Sequence, residues 1–516
     1  MCGIFATTNP VDENVLKAFE KGKSRGPEST QSKIVKSASV NLFLGFHRLA
    51  INGLDDISNQ PMCIDGIYLI CNGEIYNYRK LGVDYELETK SDCEVIIHIY
   101  KRYGMDYLLD LLDGVFSFVL VDTNQDKIFI ARDPYGVRPL FYNEDFTVFA
   151  SERKQVCPFG KTFQFPPGNY AELKSGENAN MLYFKKYTSF GFSKMIFNNL
   201  FDIYGIIYQS LLTAVRKRVT TTERPIACLL SGGLDSSIIT AMVNSLLPQG
   251  TLETYSIGLE GSTDLVYAQK VADHLGTKHT SIVLTEDEFF DAIPETIYAI
   301  ESFDTTTVRA SVGNYLIGKY ISTHSDAKVI FNGDGSDELT GGYLYFNKCT
   351  NFMDFDHECK RLLDNIHYFD VLRSDRCISC HGLEPRTPFL DRTFVQNYLS
   401  ILPEIRCHSF NNQPEKFLLR ASIDFINPKL LPPEVLNRTK EAFSDGVSST
   451  ERSWYKIIQE KLNDSAIIKF DYLNPTTAEQ SYYREIFENN FKNQKAIPYF
   501  WMPKWSTTLD PSARTL

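Results

Sequence analysis

Residues 226–247 read IACLLSGGLDSSIITAMVNSLL, and this stretch decides the fold of the longer part of the chain. The apolar run 226–230 reads as a buried strand, the Ser-Gly-Gly that follows as a tight turn, and 236–247 as a helix. A strand that feeds a glycine-rich turn into a helix aims backbone N–H groups and the positive helix end at one point. That point suits a phosphate. The hydroxyls of Ser231 and Ser236 add donors, and Asp235 is placed to hold a magnesium ion against the phosphates. This is not a Walker A loop, because no Lys-Ser/Thr follows the last glycine at that spacing. Working outward, a helix is expected over 203–219, strands over 253–259 and 281–284, and a helix near 264–275. The run 329–331 then enters a second glycine-rich turn, NGDGSDE (332–338). Strands alternating with helices predict a parallel sheet.

The chain before about residue 190 has a different grain. Short β-like runs occur at 40–46, 67–71, 115–122, 127–131 and 148–151. Asp65-Gly66, Asn72-Gly73 and Asp133-Pro134 read as the turns that bound them. Helices are expected only near 13–23 and 92–103, so packed antiparallel sheets are predicted. The change of pattern puts a domain boundary within 185–202, giving domains of 1–190 and 201–516. No internal repeat or low-complexity segment interrupts either part.

Cys2 is the first candidate for chemistry. Loss of Met1 would leave a cysteine with a free α-amine, and such an amine titrates near pH 7.7–8.0, so it can act as base for its own thiol. Asn72 and Gly73 follow the run 67–71 and are expected at a strand end, where an amide and a backbone N–H can form an oxyanion hole. Arg48 offers two parallel hydrogen bonds to a carboxylate. Asp92 opens the expected helix SDCEVIIHIY, either as its N-cap or as partner of a substrate ammonium.

The chain of 516 residues carries a net charge of −11, with 43% hydrophobic and 23% charged residues. It shows no basic run of the kind a nucleic-acid partner would meet, so none is expected. The 11 cysteines have no framework spacing, and Cys377-x-x-Cys380 lacks the second pair a zinc site needs; reduced thiols in the cytoplasm are expected. MCGIFATTNP has neither the charged nor the apolar region of a signal peptide, and no apolar run reaches the roughly 20 residues of a membrane span.

The stretches MCGIFA, RGPEST, HRLAI, CNGEIYN, SDCEVI, LDGVFSFVLVD and ARDPYGVRPLFY cover most of residues 1–155 and resemble the class II glutamine amidotransferases. The resemblance implies an αββα sandwich of the N-terminal-nucleophile type, with Cys2 attacking the side-chain amide of glutamine and Asn72 and Gly73 stabilising the oxyanion. Arg48, Glu74 and Asp92, with backbone from Leu49, Ala50, Ile51 and Asn52, would hold the glutamine head group. SGGLDSS looks like the pyrophosphate loop of ATP pyrophosphatases, on an α/β parallel-sheet domain with additional helices. ESFDTTTVRAS, NGDGSDELTGGYLYF, DRCISCHGLEPRTPFLD, EKFLLR, RTKEAFSDGV and the tail from 497 resemble the asparagine synthetase family.

That second resemblance implies adenylation of the aspartate β-carboxylate by ATP, then attack by ammonia delivered through an internal tunnel. Leu229, Ile257, Asn332 and Gly333 would line the nucleotide beside Ser231, Gly232, Gly233, Asp235 and Ser236. Asp235 and Asp337 would bind Mg2+, and Arg309 and Lys440 would spread charge at the transferring phosphate and pyrophosphate. The partners implied are glutamine, aspartate and ATP, and the resemblance allows a homodimer. One departure stands out: the family usually reads Ser-Gly-Glu-Gly-Ser-Asp-Glu where this chain has Asn332 and Asp334. Asp334 keeps the charge that would aid the intermediate or take a proton from ammonia, on a side chain one methylene shorter. Two other readings remain at this point: a relative that adenylates another carboxylate, such as a β-lactam synthetase, and a catalytically silent scaffold.

Overall fold

Backbone pairing sorts the strands between Gly3 and Lys186 into two antiparallel sheets. In the computed structural model, which describes residues 2–175, 180–197, 199–449, 451–463, 465–508 and 510–512, each has six strands. Met1 and the end of the tail motif (513–516) lie outside the described residues. One sheet runs Thr162–Gln164, Phe141–Asn143, Val148–Ala150, Gly3–Thr7, Asn41–Arg48, Ser29–Lys36. The other runs Asn180–Lys186, Asn169–Ser175, Lys127–Arg132, Gly114–Asp122, Ile67–Ile75, Met62–Ile64. Ile4, Ala6, Leu44 and Phe46 of the first face Ile70, Val119, Val121 and Ile130 of the second. The outer face of the first sheet takes Val15, Ala18 and Phe19 of the helix Glu13–Glu20. The outer face of the second takes the helix Val95–Leu111. Helix, sheet, sheet, helix is the expected αββα order.

Two local expectations are corrected. Asn72-Gly73 is not a turn at a strand end: the strand continues to Ile75, paired residue for residue with Gly114–Asp122. Packing overrides the turn signal here. A Cβ on Gly73 would lie 2.6 Å from the Val115 carbonyl oxygen and 2.8 Å from the Phe116 Cα, so glycine serves close strand approach. Asp92 is not an N-cap either. The helix starts at Val95, and the Asp92 Oδ2 instead accepts from the Ile75 N–H at 2.6 Å.

The third sheet is wholly parallel, in the order Lys278–Leu284, Glu253–Leu259, Ile226–Leu229, Val329–Phe331, Glu384–Arg386. Both faces are buried, as continuous apolar runs require. Cys228, Val329 and Phe331 face the helices Leu200–Thr220 and Leu234–Asn244, while Ala227 and Ile330 face Thr305–His324 and Ala478–Asn490. The chain leaves Ile226–Leu229 toward one edge and returns to build the other edge from Val329–Phe331. Ligands of such sheets bind where the order reverses, beyond the carboxyl ends of the strands. The two glycine-rich turns follow these two strands.

Candidate active sites

Cys2 precedes the first strand, and its position is fixed by both its backbone groups. Its N–H donates to Asn72 Oδ1 at 3.1 Å, and its carbonyl accepts from Arg25 Nε at 3.0 Å. The thiol lies 3.7 Å from the Leu49 carbonyl oxygen. Burial pushes the thiol pKa up, while that contact and Arg48 pull the other way. With Asn72 Oδ1 occupied, its Nδ2 is buried and has no partner among the described residues. A fixed donor beside a nucleophile is what an oxyanion hole supplies. Glu74 accepts from Asn52 Nδ2 at 2.8 Å and lies 3.3 Å from Arg386 Nη2. Burial and the nearby Asp92 hold Glu74 well above the usual carboxylate range, and burial raises Asp92 to about 6.

Arg48 turns into its own loop, donating to the carbonyls of Asp55 at 2.7 Å and Gly53, and to Asn59 Oδ1 at 3.0 Å. The loop is pinned from the second half of the chain: Ala50 O accepts from Arg224 Nε at 2.8 Å, and Gly53 N–H donates to Glu223 Oε1 at 2.7 Å. Leu49, Ala50, Ile51 and Asn52 are thereby all buried beside Cys2.

The second centre is a cavity walled by both glycine-rich turns. Its lining includes Leu229, Ser231, Gly233, Asp235, Ser236 and Ile257, and across from them Asn332, Gly333, Asp334, Asp337 and Lys440. Gly232 takes φ +70. A Cβ there would meet the Ala268 N at 2.4 Å, so the turn packs against the backbone of the helix Thr263–Leu275. Ser231 and Ser236 hold the turn through an Oγ–Oγ contact of 3.0 Å, and the Gly233 N–H donates to Ser231 Oγ at 3.3 Å. Asp235 Oδ2 and Asp337 Oδ1 each lie 2.5 Å from Lys416 Nζ. Lys440 Nζ donates to Asp337 Oδ2 at 2.5 Å. Against the effect of burial, these two ammonium groups hold the Asp337 carboxyl far below its ordinary value. Two carboxylates already converging on one cation, both hard oxygen donors, fit Mg2+.

Lys416 was missed by the reading of separate residues, although EKFLLR marks its segment. It reaches the carboxylates because Gly342 leaves room: a Cβ there would lie 1.9 Å from Lys416 Cε. Asp334 is in the cavity wall and accepts from Arg373 Nη2 at 3.0 Å. The expected carboxylate thus lies in the cavity wall, paired with a buried arginine. Arg309 departs from its expected place at the phosphates. It makes bidentate pairs with Glu479, at 2.8 and 2.6 Å, and Asp510, at 2.9 and 2.8 Å. Four carboxylate oxygens already satisfy the guanidinium, while its neighbours Thr306 and Ala310 line the cavity.

The two centres are joined by packing. Leu49, Ile51, Tyr76 and Val115 share one apolar cluster with Leu230, Leu234, Leu339 and Leu390. No group of three or more metal-ligating side chains occurs among the described residues, and none of their helices is long and apolar enough to cross a membrane.

The family profile described as "Asparagine synthase" matches residues 207–354 and 351–509, and that described as "Glutamine amidotransferase domain" matches 1–165. The chain is 41% identical to the "Asparagine synthetase [glutamine-hydrolyzing]" of Homo sapiens, over 100% of this chain and 98% of that protein. The Gallus gallus protein of the same name is 40% identical, with the same coverage. Among solved structures, the allosteric regulatory enzyme of purine biosynthesis aligns with TM-score 0.31 at 13% identity, covering 55% of this chain and 80% of that one. That likeness is too remote to carry an argument.

Proposed function

We infer the chemistry from one premise: this chain belongs to the glutamine-hydrolysing asparagine synthetase family. It is an ATP-using ligase that takes nitrogen from glutamine to make asparagine. What we propose is the division of roles among its residues, between a glutaminase domain (1–190) and a synthetase domain (201–516).

In the first, Met1 is removed and the α-amine of Cys2 takes the proton from its thiol. The sulfur attacks the glutamine amide, Asn72 Nδ2 and the Gly73 N–H bind the oxyanion, and ammonia leaves from a glutamyl thioester that water then hydrolyses. Asp92 and Glu74 face the substrate ammonium, with backbone from Leu49 to Asn52 around the head group. Arg48 takes the substrate carboxylate by releasing its loop carbonyls. Ammonia passes along the apolar layer from Leu49 toward Leu230.

In the second, the Ser231–Ser237 turn holds the triphosphate, and Leu229, Ile257, Asn332 and Gly333 hold the nucleoside. Asp235 and Asp337 would bind Mg2+, whose charge offsets that of the phosphates. Lys440 stabilises the departing pyrophosphate, and Asp334 serves the attack of ammonia on β-aspartyl-AMP. Work in the cytoplasm, as a homodimer, belongs to the same proposal.

The observation that carries this reading is the Asn72 amide, oriented by Cys2 itself with a buried donor left over. Glutamine labelled in its amide nitrogen tests it. Cys2→Ala should lose transfer of the label into asparagine yet still make asparagine from free ammonia. Retained transfer, or loss of both activities in a folded variant, would sink the two-site account.

A further inference from the structure

The nucleophile is held in place from the far half of the chain. Arg25, whose Nε supports the Cys2 carbonyl, is fully buried. The rest of its guanidinium is committed to the helix Asp370–Ser379. Nη1 donates to Asp375 Oδ2 and to Ser379 Oγ, each at 2.8 Å, and Nη2 donates to Asp375 Oδ1 at 3.3 Å. Glu152 comes only to 3.6 Å from Nη1 and has closer partners at 2.8 Å in Arg376 and Lys154. The direction in which Arg25 points is therefore set by Asp375 and Ser379. The same helix serves the other centre through the two residues just before Asp375: Arg373 donates to Asp334, and Ser374 Oγ accepts from Asn332 Nδ2 at 2.7 Å.

A residue ahead of its first strand frays unless it is tied down. Cys2 has two such ties, and one of them ends in the synthetase half. A bidentate carboxylate fixes a guanidinium in plane and angle. Without it, the nearest remaining charge would draw Arg25 toward Glu152 and away from the Cys2 carbonyl.

We propose that Asp375 is a positioning residue for glutamine hydrolysis, acting through Arg25 on the placement of Cys2, with Ser379 as its second anchor. The two halves are then coupled at the level of a single carbonyl. The proposal rests on Cys2 being the nucleophile.

The test uses the full-length enzyme with Asp375→Asn and Ser379→Ala, assayed for glutamate release, for glutamine-dependent synthesis and for ammonia-dependent synthesis. A misplacement of about 1 Å costs on the order of 100-fold in rate. Asp375→Asn should lose on that order in kcat for glutamine, with KM for glutamine and ammonia-dependent synthesis unchanged. Ser379→Ala should move the same way by less. Arg25→Lys combined with Asp375→Asn should be no worse than the more damaged single variant, as for groups acting in one chain. A rise in KM at constant kcat would overturn the proposal, as would equal loss with both nitrogen sources, the mark of a damaged scaffold. Cys2→Ala in the same assays separates the two levels. If it still hydrolyses glutamine, the nucleophile assignment fails and takes the proposal with it. If it is inactive while Asp375→Asn hydrolyses at the wild-type rate, only the proposal fails.

Discussion

Asp92 shows how a residue's role changes once its neighbours are known. In the sequence it sits where an N-cap would sit. In the fold its carboxylate is buried beneath the strand that carries Asn72 and Gly73, and burial raises its pKa from 3.8 to about 6. An ordinary aspartate would stay ionised at pH 5, whereas this one is mostly protonated there. Only the ionised form attracts the ammonium of glutamine. We therefore expect kcat/KM for glutamine to fall first as the Cys2 α-amine protonates below about pH 8, and then to steepen as pH drops through 6, where protonation of Asp92 adds a further limb approaching another tenfold per unit. Ammonia-dependent synthesis, measured at a fixed concentration of free ammonia, should lack both limbs. Asp92→Asn should remove the further limb at a lower level of activity, and a steepening that persists in that variant would assign it to another group. Arg309 makes the complementary point. A cation in a motif cannot be told from a phosphate ligand until its partners are seen, and Glu479 and Asp510 lie 170 and 201 residues away in sequence.

At the scale of elements, four strands of the parallel sheet were legible as local apolar runs, two of them ended by glycine-rich turns, whereas the edge strand Glu384–Arg386 carries no such signal. The helices expected over 203–219 and 264–275 appear as Leu200–Thr220 and Thr263–Leu275. Asn72-Gly73 was not legible. An Asn-Gly pair is the strongest short-range turn signal, and what overrides it is the strand Gly114–Asp122, far away in sequence. Gly232 combines both kinds of information. The turn demands a glycine locally because φ is +70, and the helix Thr263–Leu275 demands one from outside because its backbone lies where a Cβ would be. Gly232→Ala should push that helix from the phosphate turn. We expect it to abolish aspartate-dependent exchange of pyrophosphate into ATP while glutamine hydrolysis continues. Normal exchange in the variant would mean that the turn grips the triphosphate in another conformation.

The whole molecule is held by features no stretch of sequence displays. Between the halves lies a buried seam of ion pairs. Arg25 meets Asp375, Arg138 lies 3.6 Å from Glu384, Arg376 lies 2.8 Å from Glu152, and Arg386 reaches Glu74. Breaking one buried pair by removing a partner costs about 3–5 kcal/mol, a large part of a domain's whole stability. Separating the halves would return these charges to water, which offsets much of their lost pairing, but it would also expose the apolar cluster that Leu49 and Ile51 share with Leu230 and Leu234. The halves should therefore unfold together, and the chain offers a clean way to see it. Its three tryptophans, Trp454, Trp501 and Trp505, all lie in the second half, so intrinsic tryptophan fluorescence reports on that half alone. Glutamine hydrolysis reports on the first. In a urea titration the loss of glutaminase activity and the fluorescence change should share one midpoint, as a cooperative transition requires. Glutaminase activity that outlasts the fluorescence change would mean that the seam is a docking surface between independent domains, and that Cys2 keeps its geometry without the helix that carries Asp375.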